Sequence, residues 1–174
     1  MNTEERRKQL LERLEHTDKP LTGSLLAKEF DVSRQIIVGD IGIIRAMGKN
    51  IYATPRGYII PSTQTKGKGI MATIACRHDA VGLKAELETI VDNGGFVRDV
   101  IVEHPLYGEL RGDLMISTRH DVDMFLQKMA ECKASPLLVM TGGVHLHTLE
   151  VADEGTLERI RQELKRQGIL AREV

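Results

Sequence analysis

The sequence predicts an α+β protein in two parts, a small helical head and a larger body in which strands and helices alternate. Three observations predict this arrangement. Capping residues precede three apolar helical stripes near the N-terminus, a polar stretch without apolar side chains follows at 62–69, and beyond it the apolar period changes repeatedly between helix and strand. The chain has 174 residues, of which 41% are hydrophobic and only 3% aromatic, so we expect aliphatic cores.

The head, residues 1–61, is predicted to contain three short helices. Asn2 or Thr3, then Thr22 and Ser33, can each cap a helix, because a short side chain with an oxygen accepts a free backbone N–H. The stripes expected to face inward are Leu10, Leu11 and Leu14; Leu25, Leu26, Ala27 and Phe30; and Ile36, Ile37, Ile41 and Ile44. A turn at 54–57 then joins two short strands into a hairpin. Three helices followed by a hairpin indicate a winged helix-turn-helix domain.

The beginning of the third helix carries residue types that read DNA. Arg34 and Gln35 follow Ser33 in the first helical turn, which in this fold enters the major groove, where Arg recognises guanine and Gln adenine. Arg56, in the hairpin turn, is placed for a phosphate or the minor groove. Residues 1–68 contain 12 Lys and Arg against 8 Asp and Glu, and the rest of the chain 12 against 17. This asymmetry favours double-stranded DNA as the partner of the head, with a protein-interaction module as the alternative.

The body, residues 70–174 after a linker at 62–69, is predicted to follow the order β-α-β-β-α-β-β-α. The expected strands are 70–76, 96–103, about 112–117, 137–140 and 144–151, and the expected helices are 80–93, one capped by Thr118, and 154–167. This order predicts a two-layer α+β sandwich in which helices cover one face of a largely antiparallel sheet.

Two histidines in the last predicted strand suggest a metal site. His145 and His147 follow Gly142-Gly143, and in a strand they would face the same side, roughly 7 Å apart. Val144 and Leu146 would then point the other way, into a core. The glycines allow a sharp turn or a close approach. Exposed strand histidines without a ligand are the alternative interpretation.

Two residues from earlier in the body could complete this site. Glu86 borders an apolar stripe of its predicted helix, where a carboxylate needs a partner, and its side chain leans toward the helix N-terminus and His78. Three nitrogens and one oxygen would suit zinc, nickel, iron or cobalt. Alternatively, His78 is an ordinary surface residue and Glu86 pairs with Lys84 or Arg77.

The remaining sequence features favour a cytoplasmic protein without a membrane segment. No apolar run approaches the roughly 20 residues that a membrane-spanning helix needs. Residues 1–9 are polar and carry charges of both signs, unlike a signal peptide. Cys76 and Cys132 lack the spacing of a metal motif, and we expect both to be buried thiols in a reducing compartment.

Three motifs of the body, together with the winged head, resemble the niacin-responsive transcriptional repressors, which carry a three-histidine regulatory domain. The motifs are His104-Pro105-Leu106-Tyr107-Gly108, Ser117-Thr118-Arg119-His120-Asp121-Val122-Asp123-Met124-Phe125, and Leu137 through Thr148. The resemblance covers nearly the whole chain. It implies a phosphocarrier-like sandwich and a homodimer that represses genes of NAD-precursor synthesis or uptake, with nicotinic acid as co-repressor. It also implies a divalent metal at the residues His78, Glu86, His145 and His147.

The positions of these motifs suggest contacts to nicotinate. Arg119 could pair with its carboxylate, and Tyr107 or His104 could stack on the ring or hydrogen-bond it. Arg119 could instead pair with Asp121 or Asp123, and His104 could be a further metal ligand. Two rival functions are a repressor that senses the metal itself and a small metalloenzyme. The enzyme is disfavoured because in β-barrel oxygenases the His-x-His pair comes first, whereas here it comes last and the pattern is α+β.

Overall fold

A computed structural model of the protein describes residues 2–61 and 69–171. The chain divides into two compact units, Met1–Lys66 and Gly67–Val174. The predicted linker at 62–69 lies, except for Gly69, outside the described residues. None of the helices in these two ranges has both the length and the apolar character that crossing a membrane requires.

The head contains three helices and a hairpin, as predicted. Helices α1 (Thr3–Glu15), α2 (Gly23–Glu29) and α3 (Arg34–Ala46) precede the antiparallel strands β1 (Tyr52–Thr54) and β2 (Gly57–Ile59). The predicted caps are confirmed, because Asn2, Thr22 and Ser33 each accept a hydrogen bond from the backbone N–H three residues ahead. The prediction that Leu25 and Ile36 face the core was wrong, since these residues are 46% and 42% exposed. Each lies near the beginning of its helix, on the side away from the core.

A buried ion-pair cluster ties α1 to α3. Asp40, on the inner side of α3, is 2% exposed and accepts a hydrogen bond from Arg6 Nε at 2.6 Å and from Arg7 Nε at 2.8 Å. Around it, aliphatic side chains of the three helices form the core of the head. The position of α3 therefore depends on a charge contact as well as on apolar packing.

The body is an α+β unit with one antiparallel four-stranded sheet, so the predicted fold class is confirmed. Its elements are β3 (Ile70–Arg77), α4 (Leu83–Asp92), β4 (Phe96–His104), β5 (Gly108–Ile116), α5 (Arg119–Glu131), β6 (Val144–Val151) and α6 (Glu154–Arg166). The strand order is β3-β6-β4-β5. Helix α4 packs against both α5 and α6, and residues of all three helices share one core with the sheet.

The antiparallel pairing gathers chain ends that are distant in sequence. Arg77 pairs with Val144, and His104 pairs with Gly108. The end of β3, the beginning of β6, the end of β4 and the beginning of β5 therefore lie at one end of the sheet, which we call the histidine end. Helix α5 begins at the opposite end, since it follows the last residue of β5.

One predicted strand, 137–140, was wrong. Leu137–Thr141 forms a 3-10 helix that follows Pro136 and ends at Gly142, whose φ is +62°. The Val139 N–H donates to the Pro136 carbonyl and the Gly143 N–H to that of Leu138. A short apolar run between proline and glycine has no period long enough to separate strand from helix. A 3-10 turn, Ala80–Gly82, also forms the first part of the helix predicted at 80–93.

Candidate metal centre and DNA-reading helix

The carboxylate of Glu86 lies at the centre of a buried cluster with three imidazoles. Glu86 stands in the first turn of α4 and is fully buried. Its Oε2 lies 2.7 Å from His78 Nε2, and its Oε1 lies 3.0 Å from His145 Nε2 and 3.4 Å from His147 Nε2. The four residues named as metal ligands from the sequence therefore converge on one point.

The alternation of β6 brings two of these imidazoles to the cluster. His145 and His147 face the same side, as expected, but that side is the core, shared with Leu149 and Val151. The expectation that Val144 and Leu146 point into a core was wrong: Val144 is 43% exposed and Leu146 is only half-buried. The physical reason is that the helices cover one face of the sheet, and Glu86 on α4 gives the histidines polar partners on that face.

Each of the three imidazoles is oriented by a backbone carbonyl. The Nδ1 atoms donate to the carbonyls of Asp79 (His78, 2.6 Å), Gly143 (His145, 2.9 Å) and Asp99 (His147, 2.6 Å). A carbonyl oxygen only accepts, so these bonds place the proton on Nδ1. In the neutral ring the Nε2 lone pair then faces Glu86. Metal-bound histidines are oriented in this way by partners outside the ligand shell.

The charges within the cluster change the acidity of its members. Burial, the largest single influence, would raise the pKa of Glu86 and lower that of His147 and His78. The attraction between the carboxylate and the imidazoles, together with the contacts of His78 and His145 to Glu86 at hydrogen-bond distance, outweighs burial. The pKa of Glu86 is therefore held well below its ordinary value, and those of His147 and His78 are raised. The cluster thus favours positive charge around a carboxylate, which protons or a cation can supply.

The donor set fits a divalent metal ion. Three Nε2 atoms and a carboxylate offer the nitrogen and oxygen ligands that zinc and its neighbours in the first transition row accept. His147 is 1% exposed, and its Nε2 has no hydrogen-bond partner among the described residues, since the contact to Glu86 is too poor in geometry to count. A buried imidazole nitrogen without a partner is costly unless something binds it. An ion between Glu86 and the three rings would bind it.

Two glycines allow His78 to reach the cluster. The His78 N–H donates to the Gly143 carbonyl at 3.3 Å, and a Cβ on Gly143 would lie 2.4 Å from the His78 carbonyl oxygen. On the other side, a Cβ on Gly82 would lie 2.8 Å from His78 Nδ1. Gly142 supplies the sharp turn through its positive φ, and Gly143 permits the close approach. The sharp turn and the close approach, which the sequence offered as alternatives for the double glycine, therefore both occur, the first at Gly142 and the second at Gly143.

Cys76 was missed as a member of this cluster. Predicted to be a structural thiol, it is fully buried, but it pairs directly with His145 across β3 and β6. Its Sγ and ligand atoms of Glu86 and His145 all lie within 4.8 Å of one another. Burial, and then the nearby Glu86 charge, raises the pKa of the thiol. Only the strand register could have revealed that Cys76 lies beside Glu86 and His145. The prediction that Cys132 is also buried was wrong, since this residue is exposed at the C-terminal end of α5.

The residues suggested as nicotinate contacts lie in two separate places. His104 and Tyr107 are at the histidine end, with ring centroids 5.1 Å apart, and His104 Nδ1 accepts from the Tyr107 N–H at 3.3 Å. Arg119 is at the opposite end of the sheet. Its guanidinium is bonded to Asp92 of α4 through two hydrogen bonds of 2.8 and 2.6 Å, and it lies 3.5 Å from Glu88 of the same helix.

A second residue missed in the sequence supports His147. This residue is Asp99, which lies on β4 and is buried. Its backbone carbonyl accepts a hydrogen bond from His147. Its carboxylate accepts hydrogen bonds from the Thr148 N–H, at 3.0 Å, and from Arg111. Arg111 pairs with Ile101, which in turn pairs with Leu146, so this arginine is nearly level with the histidines. The sequence signal for this pair was a single aspartate in an apolar predicted strand, with an arginine near the strand that follows.

The predicted DNA-contacting residues of the head lie around one helix end and the hairpin. Ser33 caps α3 through its Oγ, and Arg34 and Gln35 are exposed in the first turn. Arg56, in the hairpin turn, is half-buried, and its N–H donates to Thr54 Oγ1. The exposed first turn of α3 is the part of a recognition helix that reads base edges.

Comparison with known proteins identifies both units. A helix-turn-helix domain family matches residues 6–59, and the 3H domain family matches residues 71–173. The chain is 46% identical to the Probable transcription repressor NiaR of Thermotoga maritima over 170 residues, which is 98% of this chain and 95% of that protein. It is 40% identical to the Transcription repressor NadR of Bacillus subtilis over 169 residues, 97% and 94% of the two chains. The chain belongs to the family of transcription repressors that join a helix-turn-helix domain to a 3H domain.

Membership of this family decides two of the questions that the sequence left open. The protein is a DNA-binding repressor, and the predicted regulator is confirmed over the metalloenzyme. The helix-turn-helix match includes α3 and the hairpin, so the head is the DNA-binding part of the repressor rather than a protein-interaction module.

Proposed function

We propose that this repressor controls genes of NAD-precursor synthesis or uptake, with nicotinic acid as co-repressor sensed by a metal-containing body. The observation that carries the proposal is the buried cluster of Glu86 with three inward-facing imidazoles, in the unit joined to the DNA-binding head. The resemblance of the body motifs to niacin-responsive repressors supplies the identity of the effector. Because a transcription repressor must reach the DNA that it controls, we propose that the protein is located in the cytoplasm.

The metal would be held by His78, Glu86, His145 and His147. A divalent transition metal, nickel, zinc or iron, would supply a Lewis acid there, which could attract the pyridine nitrogen or the carboxylate of nicotinate. The chain's own contribution is orientation: three backbone carbonyls fix the imidazole rings, and Glu86 offsets part of the charge of the ion. Because Glu86 belongs to the first turn of α4 and His145 and His147 to β6, binding of an ion by all three would stabilise the contact between these elements.

The effector would bind at the histidine end of the sheet. His104, the last residue of β4, and Tyr107, in the turn that follows it, offer two rings at the end of the sheet where β6 begins. Arg119 would have to exchange Asp92 for nicotinate at the opposite end. We therefore propose Arg111, which is half-exposed and nearly level with Leu146, as the contact for the nicotinate carboxylate.

DNA binding would require a homodimer. Ser33, Arg34 and Gln35 of one head contact a single half-site, and a pair of recognition helices must be about 34 Å apart to enter successive major grooves. Nicotinate strengthens operator binding if it binds better to the dimer geometry that has this spacing. Arg56 in the hairpin would add a phosphate or minor-groove contact.

The test is an operator-binding titration with the full chain on DNA from upstream of NAD-precursor genes. Metal-loaded and metal-stripped protein are each titrated with and without nicotinate, with an unrelated DNA of equal length as control. We expect nicotinate to tighten binding of the metal-loaded protein by at least about tenfold, within the usual range of allosteric coupling. Equal affinities with and without nicotinate would overturn the co-repressor proposal.

A metal-sensing repressor is the second candidate, because the ligand set is so deeply buried. Glu86, His145 and His147 are at most 1% exposed, so the ion itself reaches the cluster more easily than an organic ring. In the same titration, this function predicts that the metal alone changes operator affinity and that nicotinate adds nothing. A matched arm with nicotinamide, which lacks the carboxylate, separates recognition of the charge from recognition of the ring.

A further inference from the structure

The cluster around Glu86 includes a sulfur that the predicted ligand set omits. Cys76 is the residue of β3 directly opposite His145, and cross-strand partners in an antiparallel pair have Cβ atoms about 5 Å apart. The Cys76 side chain is fully buried on the face that carries Glu86 and the histidines. Its Sγ lies within 4.8 Å of a Glu86 oxygen and a His145 ring nitrogen. Ligand atoms of a tetrahedral zinc ion lie about 2.0–2.3 Å from the metal and therefore about 3.3–3.7 Å from one another, so the thiol would have to move by roughly 1 Å to share an ion with them.

Charge provides an independent reason for a second anionic donor. A divalent ion bound by Glu86 and neutral imidazoles would leave a net positive charge in a site whose ligand residues are almost completely buried. A buried uncompensated charge is strongly unfavourable, whereas a thiolate would bring the site to neutrality. The Nε2 of buried His147, which lies 3.4 Å from Glu86 Oε1 but makes no hydrogen bond among the described residues, independently indicates that the cluster is built to receive a ligand.

We propose that Cys76 is a thiolate donor to the metal ion of this repressor, alongside the histidines and Glu86. The inference rests on the metal site of the proposed function. When the ion binds, the bond between sulfur and metal forms and the thiol proton leaves to solvent, so that one proton is released for each ion bound through sulfur. A thiolate makes the donor set softer, and it favours zinc or cobalt over manganese and magnesium.

Cobalt(II) added to the metal-stripped full chain tests the proposal, because a thiolate ligand gives cobalt a strong near-ultraviolet charge-transfer band that nitrogen and oxygen ligands do not. The sequence has two cysteines, Cys76 and Cys132, and the second is exposed at the end of α5. The variants are Cys76→Val, in which a strand-forming apolar residue fills the buried position, and Cys132→Ser as the matched control. Circular dichroism checks that each variant is folded.

We expect the charge-transfer band in wild type and in Cys132→Ser, and its loss in Cys76→Val, which still shows the weak visible bands of cobalt bound by histidine and carboxylate. In Cys76→Val, the affinity for zinc relative to that for manganese should fall at least about tenfold. Replacing even a residue outside the ligand shell typically lowers metal affinity by at least this factor. If Cys76→Val does not fold, a band in Cys132→Ser still assigns the sulfur to Cys76.

Other outcomes separate this inference from the proposed function. Cobalt bound by wild type without a thiolate band would overturn the role of Cys76 and leave the site of histidines and Glu86 intact. A band that disappears in Cys132→Ser would overturn it as well. No cobalt bound by wild type would overturn the metal site itself, and with it the function proposed for the body.

Discussion

The backbone of His78 passes directly over Gly143, with the His78 N–H bonded to the Gly143 carbonyl and no room for a side chain between them. This contact joins the end of β3 to the beginning of β6. It fixes two of the three imidazoles relative to each other, since His145 follows Gly143 by two residues and donates to the same carbonyl. The geometry of the cluster therefore depends on a residue that contributes no side chain to it.

Replacing Gly143 with alanine should damage the cluster. The Cβ would lie 2.4 Å from the His78 carbonyl oxygen, and the φ of +99° is unfavourable for alanine. We expect a loss of about 1–3 kcal/mol in the free energy of unfolding of the body from the backbone conformation alone, and more from the displaced His78. Urea unfolding measures it. Gly142→Asn is the control, because φ there is +62° and nothing lies within 4 Å; equal losses in both variants would contradict this interpretation.

Glu86→Gln should reduce metal binding without changing the shape of the cluster. The amide keeps the size of the carboxylate but removes the charge that all three imidazoles face. We expect metal content after dialysis to fall and the chelator-induced drop in Tm of the wild type to disappear, since an ion at 100 times its Kd stabilises the folded state by about 2.7 kcal/mol. Glu88→Gln is the matched control, because this partly buried carboxylate of α4 pairs with Lys84 and Arg119 instead of an imidazole. A metal content equal to that of wild type in Glu86→Gln would refute the assigned ligand.

Arg111→Gln should lower the affinity for nicotinate more than Arg119→Gln does. Arg111 lies on the histidine half of β5, whereas Arg119 is bound to Asp92 at the opposite end. A hydrogen bond to a charged group contributes about 1.5–3 kcal/mol, so we expect the nicotinate affinity of Arg111→Gln to fall at least about tenfold. Calorimetric titration of each variant with nicotinate measures it. Because Arg111 also bonds Asp99 beside His147, metal content is checked in parallel, and the reverse order of effects would restore Arg119 as the contact.

Acid should weaken the anchoring of the recognition helix through Asp40. Hydrogen bonds from Arg6 and Arg7 outweigh the effect of burial, the largest single influence, and hold the pKa of the Asp40 carboxyl below its ordinary value of 3.8. A carboxyl with a depressed folded-state pKa contributes stability that is present above the ordinary value and is lost as the pH falls through the folded value. We expect the amide protection factors, which correct for the intrinsic pH dependence of exchange, to fall in α1 and α3 below about pH 4.

The variant Asp40→Asn tests this assignment. It should show the weakened α1–α3 contact already at neutral pH, with a loss of about 1–3 kcal/mol, and a flatter acid response. Asp18→Asn, at an exposed position after α1, is the matched control. An acid response of Asp40→Asn as steep as that of wild type would show that another group is responsible.

Much of the fold could be predicted because its signals are local. Asn2, Thr22 and Ser33 bond to N–H groups three residues ahead, and this spacing is visible in the sequence. The interval 137–140 was mistaken for a strand because four apolar residues carry too little periodicity, and only the contacts of Pro136 and Gly142 make it a 3-10 helix. Leu25 and Ile36 were placed inside because hydrophobicity alone does not locate the edge of a helix stripe.

By itself, the sequence determined the two-part α+β order, the helix caps, the approach of Glu86 to His78, and the shared side of His145 and His147, because strand alternation and helix direction restrict where side chains point. That these two pairs meet depends on the tertiary structure. The tertiary structure alone decided that the histidines face the core, that Cys76 joins them, and that Arg119 lies away from them. These facts depend on the strand order β3-β6-β4-β5 and on its register, which arise from pairing between residues distant in the chain. Local patterns carry no information about such pairing until the sheet is formed.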